Sequence, residues 1–345
     1  MLHIHRTIRL LMATAVTMAL AGSAAAQDPP PAVPAASLPP FETWLADVRS
    51  EALTRGIRQE IVDAALADIQ PVEQILDRDR TQAEFTLDLT SYLKRRLTRT
   101  TLRNAQQMHT AHRELLESVG KKYGIQSRVI TAVWGLESNF GRFAGVRPTI
   151  PALATLAYDQ RRGPLFRAEL FSALEILNRG DIELANLKGS WAGALGQPQF
   201  MPSTYLKFSQ DFDGDGRRDI WTSLADVFAS VAFYLREHGW SETSTWGREV
   251  AVPKASRAAI LKLPRREDGC RAERALTEPL PLERWRKLGV KTTGNRPMPG
   301  GKVDASMVTD GVRFFLVYKN YEALLAYNCA TSYAISVAML SDRLK

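Results

Sequence analysis

The chain has 345 residues, of which 45% are hydrophobic and 24% charged, a composition typical of a globular protein with one large or two to three small domains. Its formal charge of +8 suits an anionic polymer or surface as a partner. The basic residues are scattered, without a basic stripe interleaved with aromatic residues, which argues against nucleic acid as a partner. The basic run Lys94–Arg96 is interpreted as a solvated helix face.

Residues 1–26 have the features of a secretory signal peptide. Arg6 and Arg9 form a positive start, residues 10–22 form an apolar run too short to span a bilayer, and Ala24–Ala26 offer a small-residue cleavage site. No cysteine follows the apolar run, so lipid attachment is not indicated. We therefore expect an exported, periplasmic protein without a transmembrane anchor, and loss of the two arginines leaves a charge of +6.

The next part of the chain predicts a tether followed by helices. Residues 27–40 are rich in proline and lack apolar periodicity, which predicts an extended tether. From 41 to 125 the pattern is helical and predicts an N-terminal helical domain. Within it, 85–123 is predicted as one longer helical segment. Its apolar residues at helix spacing are Leu89, Tyr92, Leu93 and Leu97.

A helix predicted over 127–140, closed by Gly141, carries Glu137 on its apolar side. Val133 and Ile130 lie four and seven residues before Glu137, the spacing of one helical face. A carboxyl group on that face loses water on folding, so its pKa rises. A raised carboxyl pKa is what a general acid needs near neutral pH. On spacing alone, a buried glutamate that pairs with an arginine or caps a loop is an equal alternative.

The segment 189–203 is rich in small residues and offers the groups that a sugar needs. Side-chain hydrogen-bonding groups stand beside aromatic rings, which matches the hydroxyl rim and the C–H faces of a sugar ring. These residues are Ser190, Gln197 and Gln199 with Trp191 and Phe200. A tightly packed structural loop explains the composition equally well. Helices are predicted on either side, over 165–178 and 224–237.

The segment 211–219 has the pattern of the front of an EF-hand calcium loop, with acids at positions 1, 3, 5 and 9 and glycine at position 6. The candidate ligands are Asp211, Asp213, Asp215 and Asp219, with the backbone carbonyl of Arg217 at position 7. Position 12 is Thr222 instead of glutamate, and Asp226 is the candidate that would close the shell. We expect a structural Ca²⁺ and not a sensor; a metal-free turn is the alternative.

The remaining chain predicts a small β-containing subdomain over 241–316 and a helical segment over 317–345 that returns to the core. The two cysteines are Cys270 and Cys329. Export to an oxidising compartment permits one disulfide between them, and two unpaired, buried cysteines are the alternative.

Longer motifs allow a family to be recognised. They are WGLESNFG at 134–141, LATLAYDQRR at 153–162, GSWAGALGQPQFMPS at 189–203, DFDGDGRRDIW at 211–221, HGW at 238–240 and YNCATSYA at 327–334. On these motifs the chain resembles the lytic murein transglycosylase B family (glycoside hydrolase family 103). The resemblance covers nearly all of the chain that follows the tether.

The resemblance implies a mainly α fold of the α+β class, with a lysozyme-like catalytic core over 126–240. It implies that Glu137 is the single catalytic acid and base and that no catalytic cofactor is needed. It also supports the calcium loop, with Asp226 as a late ligand. The substrate-binding residues that it implies are Ser190, Gln199, Tyr92, Tyr234, Tyr327, Asn328 and Tyr333. For Tyr234, core packing is an equal alternative.

The family's reaction cleaves peptidoglycan glycan strands between N-acetylmuramic acid and N-acetylglucosamine and leaves 1,6-anhydro ends. The resemblance thus implies glycan strands as substrate, and we expect a monomer, with other cell-wall enzymes as possible partners. Two alternatives remain at this point: a muramidase that hydrolyses the same bond with water, and a non-catalytic peptidoglycan-binding protein.

Overall fold

The computed structural model of the protein describes residues 38–82, 87–298 and 301–344. From Pro39 onwards the chain forms one compact unit. The predicted signal peptide and most of the predicted tether lie outside the described residues. Within them, no single helix is long and apolar enough to cross a membrane; one pair of helices, Lys319–Tyr327 and Thr331–Asp342, reaches that length and composition together, but is bent by 118° at its break.

Helices dominate the described chain. In chain order they are α1 (Phe41–Thr54), α2 (Gln59–Ala65), α3 (Glu73–Gln82), α4 (Leu89–Arg96), α5 (Arg99–Ala111), α6 (Arg113–Tyr123), α7 (Ser127–Ser138), α8 (Thr149–Tyr158), α9 (Gly163–Arg179), α10 (Pro202–Phe208), α11 (Leu224–Glu237), α12 (Lys254–Leu261), α13 (Arg271–Arg274), α14 (Leu282–Lys287), α15 (Lys319–Tyr327) and α16 (Thr331–Asp342). A short 3₁₀ helix, Leu184–Asn186, follows α9.

The strands form two antiparallel sheets. They are β1 (Arg147–Pro148), β2 (Lys188–Gly189), β3 (Gly247–Ala251), β4 (Leu280–Pro281), β5 (Lys291–Thr292), β6 (Asp304–Thr309) and β7 (Phe314–Val317). Strands β1 and β2 pair by themselves, and the others form one sheet in the order β4-β6-β7-β3-β5. In its centre Val250 lies opposite Phe314, and Met307 lies opposite Leu316. The large sheet falls in the region for which the sequence predicts a β-containing subdomain.

Two hydrophobic clusters hold these elements together. The larger one runs through the helices and contains Trp134, Phe228 and Tyr321, each at most 2% exposed. The smaller one belongs to the large sheet and the helices that cover it, and is centred on the fully buried Trp285 and Leu316. Val308, Phe315 and Val317 of the sheet belong to the larger cluster, so one face of the sheet packs against the helical core that carries α7.

The prediction of one longer helical segment over 85–123 is wrong. The chain forms α4, α5 and α6 there, and Phe85 lies outside the described residues. Thr98 starts a new helix because its side chain accepts a hydrogen bond from the backbone N–H of Thr101. His112 ends α5 and begins α6. Helix spacing in the sequence persists across these breaks, but the caps redirect the chain.

Helix α7 ends two residues before the predicted end. Asn139 and Phe140 both adopt left-handed backbone conformations, with φ of 50° and 60°. The Phe140 ring then folds back over Gly135, where a Cβ atom would come within 2.5 Å of the ring. Glycine at 135 therefore makes room for the turn that directly follows Glu137.

The helical C-terminus consists of two helices, α15 and α16, and not one. Between them Asn328 is extended, with φ of −149° and ψ of 116°. The next residue, Cys329, forms a disulfide with Cys270, 59 residues earlier, at the start of α13. The disulfide fastens the break between the two helices to the sheet region.

Candidate active site

Glu137 lies one residue before the end of α7, on its most apolar side. Ile130 and Val133 are completely buried, as the spacing predicts, whereas the Glu137 side chain keeps partial access to solvent. Loss of water raises the pKa of Glu137 from 4.5 to about 7, although the Tyr333 hydroxyl and the Arg96 guanidinium both act to lower it. A carboxyl group with this pKa holds a proton near neutral pH and can also release it.

Two tyrosines from the C-terminal helices face this carboxyl group. Burial and the neighbouring Glu137 raise the pKa of both Tyr327 and Tyr333 well above the usual value, so both stay neutral hydroxyls. Their rings stack at 6.4 Å with an interplanar angle of 18°. Tyr327 donates a hydrogen bond to the Pro198 carbonyl, at 2.8 Å. The Tyr333 hydroxyl is buried and meets no acceptor in full hydrogen-bond geometry, although it is near enough to lower the pKa of Glu137.

Arg96 is a residue of this site that the sequence interpretation missed. Lys94 and Arg95 are exposed, as a solvated helix face requires, but Arg96 is half-buried. Its guanidinium donates to the carbonyl oxygen of Leu136, the residue before Glu137. The interpretation of the whole basic run as a solvated face is therefore wrong for Arg96. The sequence could have indicated this position, because Arg96 follows the predicted cleft residue Tyr92 by four positions and therefore lies on the same face of the helix.

The other predicted tyrosines take two different places. Tyr92, on α4, is half-buried and lies within electrostatic reach of Tyr333. Tyr234 is 8% exposed and donates its hydroxyl hydrogen to the Ala326 carbonyl, at 2.7 Å. Its ring packs edge-on against Tyr327, with centroids 4.9 Å apart. Tyr234 therefore packs against the ring of Tyr327. Asn328, the residue after Tyr327, is exposed at the break between α15 and α16.

The loop between β2 and α10 is held largely by hydrogen bonds of its own. The Ser190 hydroxyl oxygen accepts from the backbone N–H of Ala192 and of Ala194, at 3.3 and 3.1 Å. Gln199 adopts a left-handed conformation, with φ of 55°, and its side-chain amide donates to the Gly196 carbonyl. Both side chains remain half-buried at the surface of the loop.

Gln197 has a different position from the other polar residues of that loop, since it is only 7% exposed. Its side-chain oxygen accepts from the Trp134 indole N–H at 2.7 Å, and its amide donates to the Trp221 carbonyl at 2.8 Å. Gln197 therefore links the helix of Glu137 to the end of the acidic loop. The sequence composition indicated a hydrogen-bonding residue here but not this internal role.

The acidic loop brings three of the predicted metal ligands together. Asp211, Asp213 and Asp226 each place a carboxylate oxygen within 4.8 Å of the other two. Asp226 is completely buried and accepts from the backbone N–H of Phe212 and of Asp219, at 2.7 and 2.8 Å. Burial, with a smaller contribution from the carboxylates of Asp211 and Asp213, raises the pKa of Asp226 to about 6 against those two hydrogen bonds.

The remaining predicted ligands lie outside this cluster. Asp215 accepts from the backbone N–H of Arg217 at 2.8 Å. Asp219 accepts from the backbone N–H groups of Trp221 and Thr222, each at 2.8 Å. These carboxylates shape the loop itself.

Glu137 thus presents a carboxyl group that holds a proton near neutral pH, at the end of a buried helix in a mainly helical core, and this arrangement defines a site for general acid–base catalysis. The chain belongs to the family described as the Transglycosylase SLT domain, which matches residues 40–342. The family and the fold class predicted from the sequence are both confirmed.

Known relatives agree with this assignment. The chain is 30% identical over 256 residues to the membrane-bound lytic murein transglycosylase B of Escherichia coli K12. The aligned residues make up 73% of this chain and 66% of that protein. The structure resembles SltB3 from Pseudomonas aeruginosa in complex with NAG-anhNAM-pentapeptide, with a TM-score of 0.80 and 37% identity over 88% of this chain and 79% of that chain. It also resembles the soluble lytic transglycosylase SltB1 of P. aeruginosa, with a TM-score of 0.75 and 26% identity over 87% and 98% of the two chains.

Proposed function

We propose that this protein cleaves the β-1,4 bond between N-acetylmuramic acid and N-acetylglucosamine in peptidoglycan and leaves 1,6-anhydro-N-acetylmuramic acid ends. The observation that carries this proposal is the set of groups around Glu137. Among the described residues, the groups that shift its pKa are a neutral hydroxyl and a guanidinium, and neither is a carboxylate. Ordinary glycoside hydrolysis uses two carboxyl groups, whereas in this proposal Glu137 serves in both steps.

In the first step Glu137 is the general acid. Its proton passes to the glycosidic oxygen as the bond between that oxygen and C1 of the muramic acid breaks. The leaving sugar departs with a free hydroxyl group. The oxygen of the substrate's own 2-acetamido group attacks C1 from the opposite face and carries the positive charge. Glu137 is left as a carboxylate, and no protein atom is bonded to the sugar.

In the second step the same carboxylate is the general base. It takes the proton from the 6-hydroxyl of the muramic acid, whose oxygen attacks C1 and displaces the acetamido oxygen. The 1,6-anhydro ring closes, the acetamido group is neutral again, and Glu137 is protonated for the next cycle. Both nucleophiles belong to the substrate, so the chain's tasks are to orient the sugar and to keep water away from C1.

The neighbouring side chains are suited to those tasks. We propose that Tyr333 and Tyr92 border the sugar next to Glu137, with Ser190 and Gln199 on the opposite loop and Asn328 at the helix break. Tyr327 would contribute its ring, because its hydroxyl is already bound to a backbone carbonyl. Tyr234 supports Tyr327 from behind.

We also propose a structural Ca²⁺ held by Asp211, Asp213 and Asp226. Oxygen ligands at 2.3–2.6 Å from a calcium ion lie at most about 5 Å apart, and one oxygen of each of the three carboxylates lies within 4.8 Å of the other two. Hard carboxylate oxygens are the donors that calcium prefers. The backbone carbonyl of Arg217 is a further candidate ligand, while Asp215 and Asp219 shape the loop. The ion would neutralise the mutual repulsion of the three carboxylates.

The predicted signal peptide supports a further proposal, export to the periplasm, where peptidoglycan lies. The signal residues are outside the described part of the chain, so the support is the sequence alone. An expressed full-length chain that remains unprocessed and fails to leave the cytoplasm would contradict this proposal.

The test of the activity is Glu137→Gln, with Glu114→Gln on the exposed side of α6 as the matched control. Gln keeps the size of the side chain but cannot donate or accept the required proton. We expect a rate of strand cleavage on purified peptidoglycan that is about 10²–10⁴ times lower, with an unchanged circular dichroism spectrum. Cleavage by the Gln variant at the rate of the control would refute the role of Glu137.

A further inference from the structure

Arg96 reaches the catalytic helix from a part of the chain that is remote in sequence. Its guanidinium crosses from the last residue of α4 to the carbonyl of Leu136, 40 positions later. Leu136 belongs to the last turn of α7, where carbonyl groups lack a partner within the helix. Other carbonyl groups of this last turn accept hydrogen bonds from the backbone that follows the helix: the Gly135 carbonyl accepts from Asn139, and the Ser138 carbonyl accepts from Phe143.

The position of Arg96 also fits the charge at this helix end. The C-terminus of a helix carries a partial negative charge, which disfavours a carboxylate and favours a cation there. Glu137 is next to last in α7, so its ionised form is opposed both by the helix end and by loss of water. A guanidinium bonded to the preceding carbonyl brings a permanent positive charge to the same place.

One donor of Arg96 remains unused within the described structure. Its Nε atom is buried and has no hydrogen-bond acceptor. Such buried donors without a partner are uncommon in folded proteins. The guanidinium thus keeps unsatisfied donor capacity beside a carboxyl group that must become negative during the reaction.

We propose that Arg96 is a positioning residue that fixes the end of the catalytic helix and balances the protonated and ionised forms of Glu137. The inference rests on the proposed function, in which one carboxyl group gives up a proton and then takes one back. Desolvation alone would favour the protonated form and oppose the proton loss of the first step. Arg96 stabilises the carboxylate that this step produces, without contacting the sugar.

The other titratable groups that face Glu137 do not supply this charge. Tyr333 on α16 and Tyr327 at the end of α15 stay neutral, because burial holds the pKa of each well above its usual value. Tyr92, one turn before Arg96 on α4, acts on Tyr333. Arg96 is the cation that lowers the pKa of Glu137.

The experiment measures the pH dependence of kcat/KM on soluble glycan strands for Arg96→Gln, Arg96→Lys and the matched control Arg95→Gln, whose side chain is exposed on the same helix. Gln keeps a hydrogen-bond donor but removes the charge. We expect the alkaline limb of the kcat/KM pH profile of Arg96→Gln to lie about one pH unit or more higher than in the wild type, and kcat to fall while KM changes little. In Arg96→Lys the alkaline limb should lie close to its wild-type pH, and the profile of Arg95→Gln should match that of the wild type.

A second readout does not depend on activity. The free energy of unfolding is followed against pH for the wild type, Arg96→Gln, and each of them combined with Glu137→Gln. A raised folded-state pKa makes the Glu137 contribution fall as pH rises from 4.5 to the folded pKa and then level off. In Arg96→Gln this fall should extend to higher pH than in the wild type.

The outcomes separate this inference from the proposed function. The role of Arg96 is overturned if the alkaline limb of the kcat/KM profile does not move in Arg96→Gln and the fall in the free energy of unfolding ends at the same pH as in the wild type. Glu137 would then remain the acid and base. A shift of equal size in Arg95→Gln also overturns it. Failure of Glu137→Gln to lose activity would instead refute the proposed function.

Discussion

Glu137 and Asp226 are both withdrawn from water, and burial raises the pKa of each, to about 7 and about 6. Their surroundings differ. Asp226 accepts two backbone N–H groups and lies beside two other carboxylates, so a cation is the natural partner of that cluster. Glu137 faces a hydroxyl and a guanidinium and keeps partial access to solvent. We propose that the two carboxyl groups take up different ions, a proton at Glu137 and a divalent metal at Asp226.

The largest stability effect should come from the metal side of this comparison. Asp226→Ala leaves the part-buried N–H groups of Phe212 and Asp219 without their acceptor, and each such loss costs about 1–3 kcal/mol. We expect the free energy of unfolding to fall by about 2–6 kcal/mol in urea titrations. Asp215→Asn, outside the cluster, is the control.

The same variants test the calcium site. A millimolar excess of calcium should raise the Tm of the wild type and of Asp215→Asn but not that of Asp226→Ala. An equal rise of the Tm in all three proteins would disprove the site.

A smaller effect is expected where the two regions are joined. Gln197→Ala removes the acceptor of the Trp134 indole and the donor to the Trp221 carbonyl. The loss should lower the free energy of unfolding by about 1–3 kcal/mol, measured by chemical denaturation. The exposed Gln106→Ala on α5 is the control and should stay close to the wild type. Equal stabilities of the two variants would mean that Gln197 does not connect the regions.

The last effect concerns the proton side, and its size depends on pH. Because the folded-state pKa of Glu137 is raised, its contribution to the free energy of unfolding is full below pH 4.5, falls as the pH rises to about 7 and levels off above that. Glu137→Gln should therefore stabilise the protein at pH 8 by about 1–3 kcal/mol relative to the wild type, and by much less at pH 4. Identical differences at both pH values would contradict a raised pKa.

Local patterns in the sequence were enough for part of this account. Helix spacing placed Glu137 on a buried face beside Val133 and Ile130. Loop spacing nominated Asp211 and Asp213, and the longer motifs identified the family. These features depend on neighbours within about a dozen residues, which a sequence displays directly.

The rest depends on packing between distant segments. Arg96 meets α7 only because α4 is folded against it, and Gln197 meets Trp134 across 63 positions. Caps also decide where helices end, as Thr98 does in the segment predicted to be continuous. Such contacts leave no periodic signal, although the four-residue step from Tyr92 to Arg96 was present in the sequence.

The central claim is that Glu137 serves as both acid and base and that water is not the nucleophile. Digestion of purified peptidoglycan in water enriched in ¹⁸O, followed by mass spectrometry of the muropeptides, tests it most directly. The account predicts products with 1,6-anhydro ends that are lighter than hydrolytic products by one water and carry no ¹⁸O at the new ends. New reducing ends that contain ¹⁸O would contradict it and identify a hydrolytic muramidase.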